Sequence, residues 1–241
     1  MTEYGIQLYS VRDIAKTSLE NALEKVAALG YKYVEFAGFY GHSAEEVKAM
    51  LEKYNLVISG THSGWGELRP TQIAETLAYH KAIGNPYYIV PNADLSTLEK
   101  IEEFCAVMNF AQPILAAENI KLAFHNHSTE FRMMPWGSTI HAEIERRTNI
   151  DFELDTFWLF NAQVDPIATM EKLKDRVHVI HIKDGFAGGK GIPLGEGEAP
   201  VQAVREKAVE MGLTIIVESE TLTPSGIDEA ERCIKYLRSI E

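Results

Sequence analysis

The stretch LAFHNHSTEF, Leu122 to Phe131, opens as an apolar strand and finishes with His125, His127 and Glu130. A histidine that ends a buried strand needs a polar partner or carries a desolvation penalty. Other apolar runs finish in the same way. Asp155 closes FELD, His181 and Lys183 close VHVIHIK, and Glu218 and Glu220 follow TIIV. Alternate residues of a strand share a face, so His125 pairs with His127, His181 with Lys183 and Glu218 with Glu220. Carboxylates and imidazoles offered together suit one divalent ion of the manganese, zinc, cobalt or iron(II) type, and suit magnesium less well. Each residue also has a plainer reading. Asp155 could cap the next turn, His181 could be a satisfied core histidine, and Glu130 could be loop surface. Lys183 could simply pair with Asp184 or Glu220. Glu218 resists such a reading most, because a carboxylate ending so apolar a run is hard to bury without a cation or donor. As a set, Asp155, His181 and Glu218 read as metal ligands, with a fourth expected from LAFHNHSTEF.

The elements that must position these groups alternate from end to end. The predicted strands are YGIQLYS, YKYVEFAG, LVISGTHS, PYYIVPN, KLAFHNH, IDFELDT, VHVIHIKD and LTIIVESE. Amphipathic helical stretches separate them. One, over Ser18–Leu29, is closed by Gly30 as a C-terminal cap; another opens on Ser43 with Glu46 three residues on, the spacing of a capping box. A long helix before KLAFHNH is expected to bend near Pro113. Strict strand–helix alternation implies parallel strands with helical crossovers. Eight such units over residues 1–241 predict one (β/α)8 TIM barrel with no second domain. The alternative, an open doubly wound sheet, more often shows a Gly-rich nucleotide turn after its first strand, and here that turn reads SVRD. In a barrel, the C-terminal strand ends form the active face. Gln7, Tyr9, Glu35 and His62 then join the candidates, and the Gly-rich loop FAGGKGIPLGEGEAP is expected to be mobile or functional.

Composition narrows the function. A hydrophobic content of 46% supports a sizeable core. The net charge of −12 disfavours nucleic acid and anionic membranes as partners. Cys105 and Cys233, far apart and without metal-type spacing, fit a reducing cytoplasm better than a disulfide scaffold. No apolar run is long enough to span a bilayer, and the N-terminal MTEYGIQLYSVRD lacks a signal-peptide pattern.

The pieces GIQLYSVR, YVEFAG, FHNHSTEF, ELDTFW, HIKD, PLGEGEAP and VESE, in this order and spacing, make the whole chain resemble the xylose isomerase-like barrels of the sugar phosphate isomerase/epimerase superfamily. The resemblance implies one divalent ion (manganese, zinc, cobalt or magnesium) held by Glu, Asp, His and Glu from strands five to eight. Asp155, His181 and Glu218 match three of those positions. The strand-five glutamate position falls on His125, which is a departure. Glu130 is therefore taken as the fourth ligand, since a third carboxylate would better neutralise the ion, with His125 as the alternative. The family's epimerases use strand-five and strand-eight glutamates on opposite faces of the substrate carbon, and the histidine here leaves that pair incomplete. Inosose dehydratase-like members are similarly His-rich on this strand.

The expected activity is a metal-dependent sugar or sugar phosphate isomerase or epimerase working through an enediolate. His125, His127 and Glu218 are candidate proton-transfer groups, and Lys183 a holder of a substrate oxyanion. Gln7, Glu35, His62, Trp158 and Glu220 are expected to contact a small sugar or polyol. The alternatives are a keto-sugar or inosose dehydratase on the same metal site, and a non-catalytic sugar-binding barrel. Phosphate-ester hydrolysis, known among related metal-dependent endonucleases, is disfavoured by the acidic surface. The resemblance also allows a homo-oligomer.

Overall fold

In the computed structural model, which describes all 241 residues, eight parallel strands pair in sequence order and close when the last returns to the first. The strands are β1 Gly5–Gln7, β2 Tyr33–Ala37, β3 Val57–His62, β4 Tyr87–Val90, β5 Lys121–His125, β6 Asp151–Asp155, β7 Val177–Ile182 and β8 Thr214–Val217. The helices are α1 Arg12–Ala15, α2 Leu19–Ala28, α3 Ala44–Lys53, α4 Ile73–Ala82, α5 Leu98–Ala116, α6 Ile140–Arg147, α7 Thr156–Asn161, α8 Pro166–Lys172, α9 Val201–Glu210 and α10 Gly226–Ser239. The predicted (β/α)8 barrel is the observed one, and the open-sheet alternative is excluded by the β1–β8 pairing. No helix is long and apolar enough to cross a membrane.

Local chemistry explains several boundaries. Ser43 caps α3 through the amide of Glu46, and Glu46 accepts from the Ser43 amide, completing the capping box. Pro113 lies inside α5, which nevertheless continues to Ala116. β1 is shorter than predicted because the Gln7 side-chain oxygen accepts from the Tyr9 amide at 3.0 Å and turns the chain into a single 3-10 turn. That turn leaves Tyr9 44% exposed. α7 lies outside the predicted helices; it begins directly at Asp155, whose side chain caps it.

The outer faces of the strands meet the helices in one continuous apolar core, with Val34, Phe36, Tyr88, Phe124, Leu154, Ile180 and Val217 all fully buried. The barrel lumen needs small residues. A Cβ on Gly5 would collide with Ile216 and Tyr33, and one on Gly60 would come within 2.7 Å of the Ile89 side chain. Glycine at these two places lets Ile216 and Ile89 fill the lumen. Above them the lumen becomes polar, and that layer carries the site.

Candidate metal centre at the barrel mouth

Strand pairing sets the first ring of groups. His125 lies opposite Glu153 in the β5–β6 pair, and Asp155 opposite His181 in the β6–β7 pair. His125, Asp155, His181 and Glu218 each offer one donor atom, all within 4.8 Å of one another. His181 Nδ1 lies 3.2 Å from Glu218 Oε2 and 3.9 Å from Asp155 Oδ2, and His125 Nε2 lies 3.9 Å from Asp155 Oδ2. Bonds of about 2.1 Å to a shared ion place neighbouring ligands roughly 3.0–3.6 Å apart, so these spacings fit with small adjustments. Asp155 divides its oxygens: Oδ1 accepts from the Trp158 amide at 2.9 Å, while buried Oδ2 has no aligned hydrogen-bond donor. This oxygen faces the Lys183 ammonium at 3.0 Å and two imidazole nitrogens at 3.9 Å, and with Glu218 they form a mixed carboxylate and imidazole donor set of the kind that suits a divalent cation.

A second layer lies beneath. Glu153, two residues before Asp155 on the same face of β6, is fully buried, as is Glu35 of β2. His62 Nε2 is 2.7 Å and His125 Nδ1 3.1 Å from Glu153 Oε2. His181 Nε2 is 2.8 Å from Glu35 Oε1, which also accepts from the Gln7 amide at 2.6 Å. Gln7 and Glu35, expected among the sugar contacts, therefore sit buried under the histidines rather than on the cavity wall. Glu153 is the residue that sequence reasoning missed. The signal was present: a second carboxylate on the inward face of FELD, at the period of a strand.

The charges are tightly interlocked. Burial pushes Glu35 up, but the imidazoles of His181 and His62 outweigh it and hold its carboxyl well below the usual range. Burial and the neighbouring Glu35 charge push Glu153 well above that range. Burial also raises Asp155, against the pull of Lys183 and His181. Glu218 is buried too, yet the Lys183 ammonium and His181 keep it ionised and well below its ordinary value. His181, despite burial, is raised to about 10 by Glu153 and Glu35 and by its bond to Glu218. Burial and the surrounding cationic groups drive His125 strongly down. One buried lysine and the His181 imidazole face this group of carboxylates.

Lys183 is that lysine. Its ammonium lies 2.6 Å from Glu218 Oε2, 2.8 Å from Glu220 Oε1 and 3.0 Å from Asp155 Oδ2. Gly191 packs on its stem, where a Cβ would come 2.5 Å from Lys183 Cδ. Lys183 is thus buried and fully engaged with carboxylates. In this arrangement it supplies positive charge among the three carboxylates.

Glu130 does not join the cluster. Its Oε2 accepts from the His127 amide at 2.9 Å and from Thr129 Oγ1 at 3.0 Å, so the carboxylate closes its own 3-10 turn, Ser128–Phe131. Glu130, expected as fourth ligand, is held away from the cluster for this local reason, and His125 occupies the strand-five position there.

Above the cluster opens a cavity of about 670 Å³, walled by His62, His125, His127, Trp158, Glu218 and Glu220, with Tyr9, Arg12 and Lys190 at its edges. The Gly-rich loop beside it folds around one carboxylate. Asp184 accepts backbone N–H bonds from Gly185, Gly195, Gly197 and Ala199 at 2.8–3.1 Å.

A model of the xylose isomerase-like TIM barrel matches residues 23–240. Among solved structures, a sugar phosphate isomerase/epimerase from Parabacteroides distasonis is 25% identical with a TM-score of 0.86, covering 99% of this chain and 98% of that one. A D-allulose 3-epimerase from Methylomonas sp., in complex with D-allulose, superposes at a TM-score of 0.73 and 16% identity over 99% of this chain and 97% of that one. The probable 3-DHS dehydratase of petrobactin synthesis from Bacillus anthracis gives 0.75 at 13% identity, over 98% and 99%. The last two likenesses show shared fold only. No curated protein matches the chain in sequence.

Proposed function

The chain belongs to the xylose isomerase-like TIM-barrel family, and on that premise we propose that it is a divalent-metal-dependent sugar isomerase or epimerase. The observation that carries this reading is the convergence of His125 Nε2, Asp155 Oδ2, His181 Nδ1 and Glu218 Oε2 under a sugar-sized cavity. Those four residues would hold the ion. When bound, it supplies Lewis-acid polarisation of a substrate carbonyl and stabilises the negative charge that develops on proton loss.

The chain's own groups do the rest. His127 and Glu218 both line the cavity, and they are the groups to take and return a proton at the carbon beside the carbonyl. Glu220 and His62 are placed to accept or donate to sugar hydroxyls, and the Trp158 ring offers an apolar face. Lys183 keeps Glu218 ionised and holds both Glu218 and Glu220 in place through ion pairs.

The imidazole at the strand-five position favours a second reading, dehydration of a keto-sugar or inosose. With His125 there, a pair of carboxylates for exchange on two faces of one carbon is incomplete. Incubation of the manganese-loaded protein with keto-sugars and inosose in deuterated water separates the two. Deuterium incorporation without loss of mass class supports isomerisation or epimerisation; a product lighter by one water supports elimination. A protein that neither retains a divalent ion nor exchanges deuterium into any of these compounds would be a sugar-binding barrel instead.

A further inference from the structure

The ring nitrogens of the two ligating histidines face opposite ways. His125 turns Nε2 to the metal cluster and Nδ1 to Glu153 Oε2, at 3.1 Å. His181 turns Nδ1 to the cluster and Nε2 to Glu35 Oε1, at 2.8 Å. A neutral imidazole has one lone pair and one N–H, so a ring that ligates through one nitrogen must carry its proton on the other. In both rings that other nitrogen meets a fully buried carboxylate.

The lower groups also converge as potential ligands: His62, His125, Glu153 and His181 each bring a donor atom within 4.8 Å of the others. Two of these rings, His125 and His181, already serve the upper cluster. Ligation at both levels at once would require His125 and His181 to bridge two ions as imidazolates. Acceptance of their N–H groups by Glu153 and Glu35 requires nothing of the kind. We propose, on the reading that the upper cluster holds a divalent ion, that Glu153 and Glu35 are positioning residues that fix the tautomer and ring plane of His125 and His181.

The rest of the layer supports those two carboxylates. The Gln7 amide donates to Glu35 Oε1 at 2.6 Å, and its own orientation is set by the Tyr9 amide donating to Gln7 Oε1 at 3.0 Å. His62 Nε2 lies 2.7 Å from Glu153 Oε2, and the His62 ring stacks on His181 with centroids 5.2 Å apart and planes 18° apart. Each orienting carboxylate therefore has a second partner that holds it when the histidine turns to a metal. A buried carboxylate behind a ligating imidazole raises the basicity of the ligand nitrogen, and its removal typically weakens metal binding about 10–100-fold.

The test uses the intact chain with Co²⁺ as probe. Stoichiometry and affinity are measured by chelator competition, ligand geometry by the visible Co²⁺ spectrum, and the tautomers by ¹⁵N NMR of the histidines. One ion per chain is expected, with His125 bound through Nε2 and His181 through Nδ1. Glu153→Gln should weaken binding about 10–100-fold and alter the spectrum, while Glu153→Asp restores part of both. Glu35→Gln provides the parallel variant acting through His181, should Glu153→Gln fold poorly. One ion bound equally tightly, with an unchanged spectrum, in both Gln variants would overturn the positioning role and leave the metal reading standing. Two ions in the wild type, with one lost in Glu153→Gln, would overturn it by making Glu153 a ligand. A wild type that binds no Co²⁺ would overturn the metal reading and the positioning role together.

Discussion

The Trp158 amide donates to Asp155 Oδ1 at 2.9 Å, so Oδ2 is the oxygen of this carboxylate that faces His125 and His181. The two functions of one side chain can therefore be separated. Asp155→Asn can keep the helix cap through its amide oxygen while removing the anionic ligand. It also removes one of the three carboxylates paired with Lys183, so its melting temperature should fall, though less than that of Asp155→Ala, whereas ion retention and turnover should be lost. Asp155→Ala should lose the cap as well, costing about 1 kcal/mol more. Elemental analysis and thermal melts read both effects, and wild-type metal content in Asp155→Asn would remove Asp155 from the ligand set.

Glu130 and His125 make opposite predictions. Glu130→Ala deletes a turn cap and should cost about 1 kcal/mol of stability with the bound ion retained. His125→Ala should lower metal affinity at least tenfold by removing a ligand nitrogen. Chelator titration of the two variants side by side is the check, and loss of the ion from Glu130→Ala alone would reinstate Glu130 as ligand.

Lys183→Met leaves Asp155, Glu218 and Glu220 without their shared cation. Breaking a buried ion pair on one side is strongly destabilising, about 3 kcal/mol or more. A divalent ion bound at Asp155 and Glu218 should offset part of that loss. Manganese should therefore raise the melting temperature of Lys183→Met by more than it raises that of the wild type. Equal increments in the two proteins would show that the lysine and the ion do not share those carboxylates.

Acid stability should depend on histidines far from the mouth. His141 is sandwiched between the rings of Phe131 and Phe152, its Nε2 lacks a partner, and burial, with Lys172 and Arg176 nearby, lowers it to about 3. Burial alone lowers His80 to about 4. Unfolded, both titrate near the ordinary histidine value of about 6.5. Below that pH the unfolded chain binds the extra protons, so stability is full above about 6.5 and falls as the pH drops toward 4. Each histidine contributes a slope of about 1.4 kcal/mol per pH unit across that window. His141→Phe should flatten the slope, measured as the urea midpoint at pH 7.5 against pH 5. An identical pH dependence in variant and wild type would refute the assignment.

Much of this protein was legible along the chain. Eight apolar runs of strand length, separated by capped amphipathic segments, implied parallel strands with helical crossovers, because period and capping are properties of neighbouring residues, whereas closure itself is fixed by the β1–β8 pairing. Asp155, His181 and Glu218 were legible for the same reason: each ends an apolar run where a polar group needs a partner. Local pattern could not choose between His125 and Glu130, place Gln7 and Glu35 beneath the mouth, bury Lys183 among three carboxylates, or single out Glu153. Those outcomes depend on strand register, including shifts at Val34/Glu35 and Phe152/Glu153, and on closure that brings Glu35 to His181 across 146 residues. A side chain's type and period say which face of a strand it occupies. Only the assembled barrel sets how high in the lumen it stands and which distant group it meets there, because that height is fixed by pairing between strands and not within them.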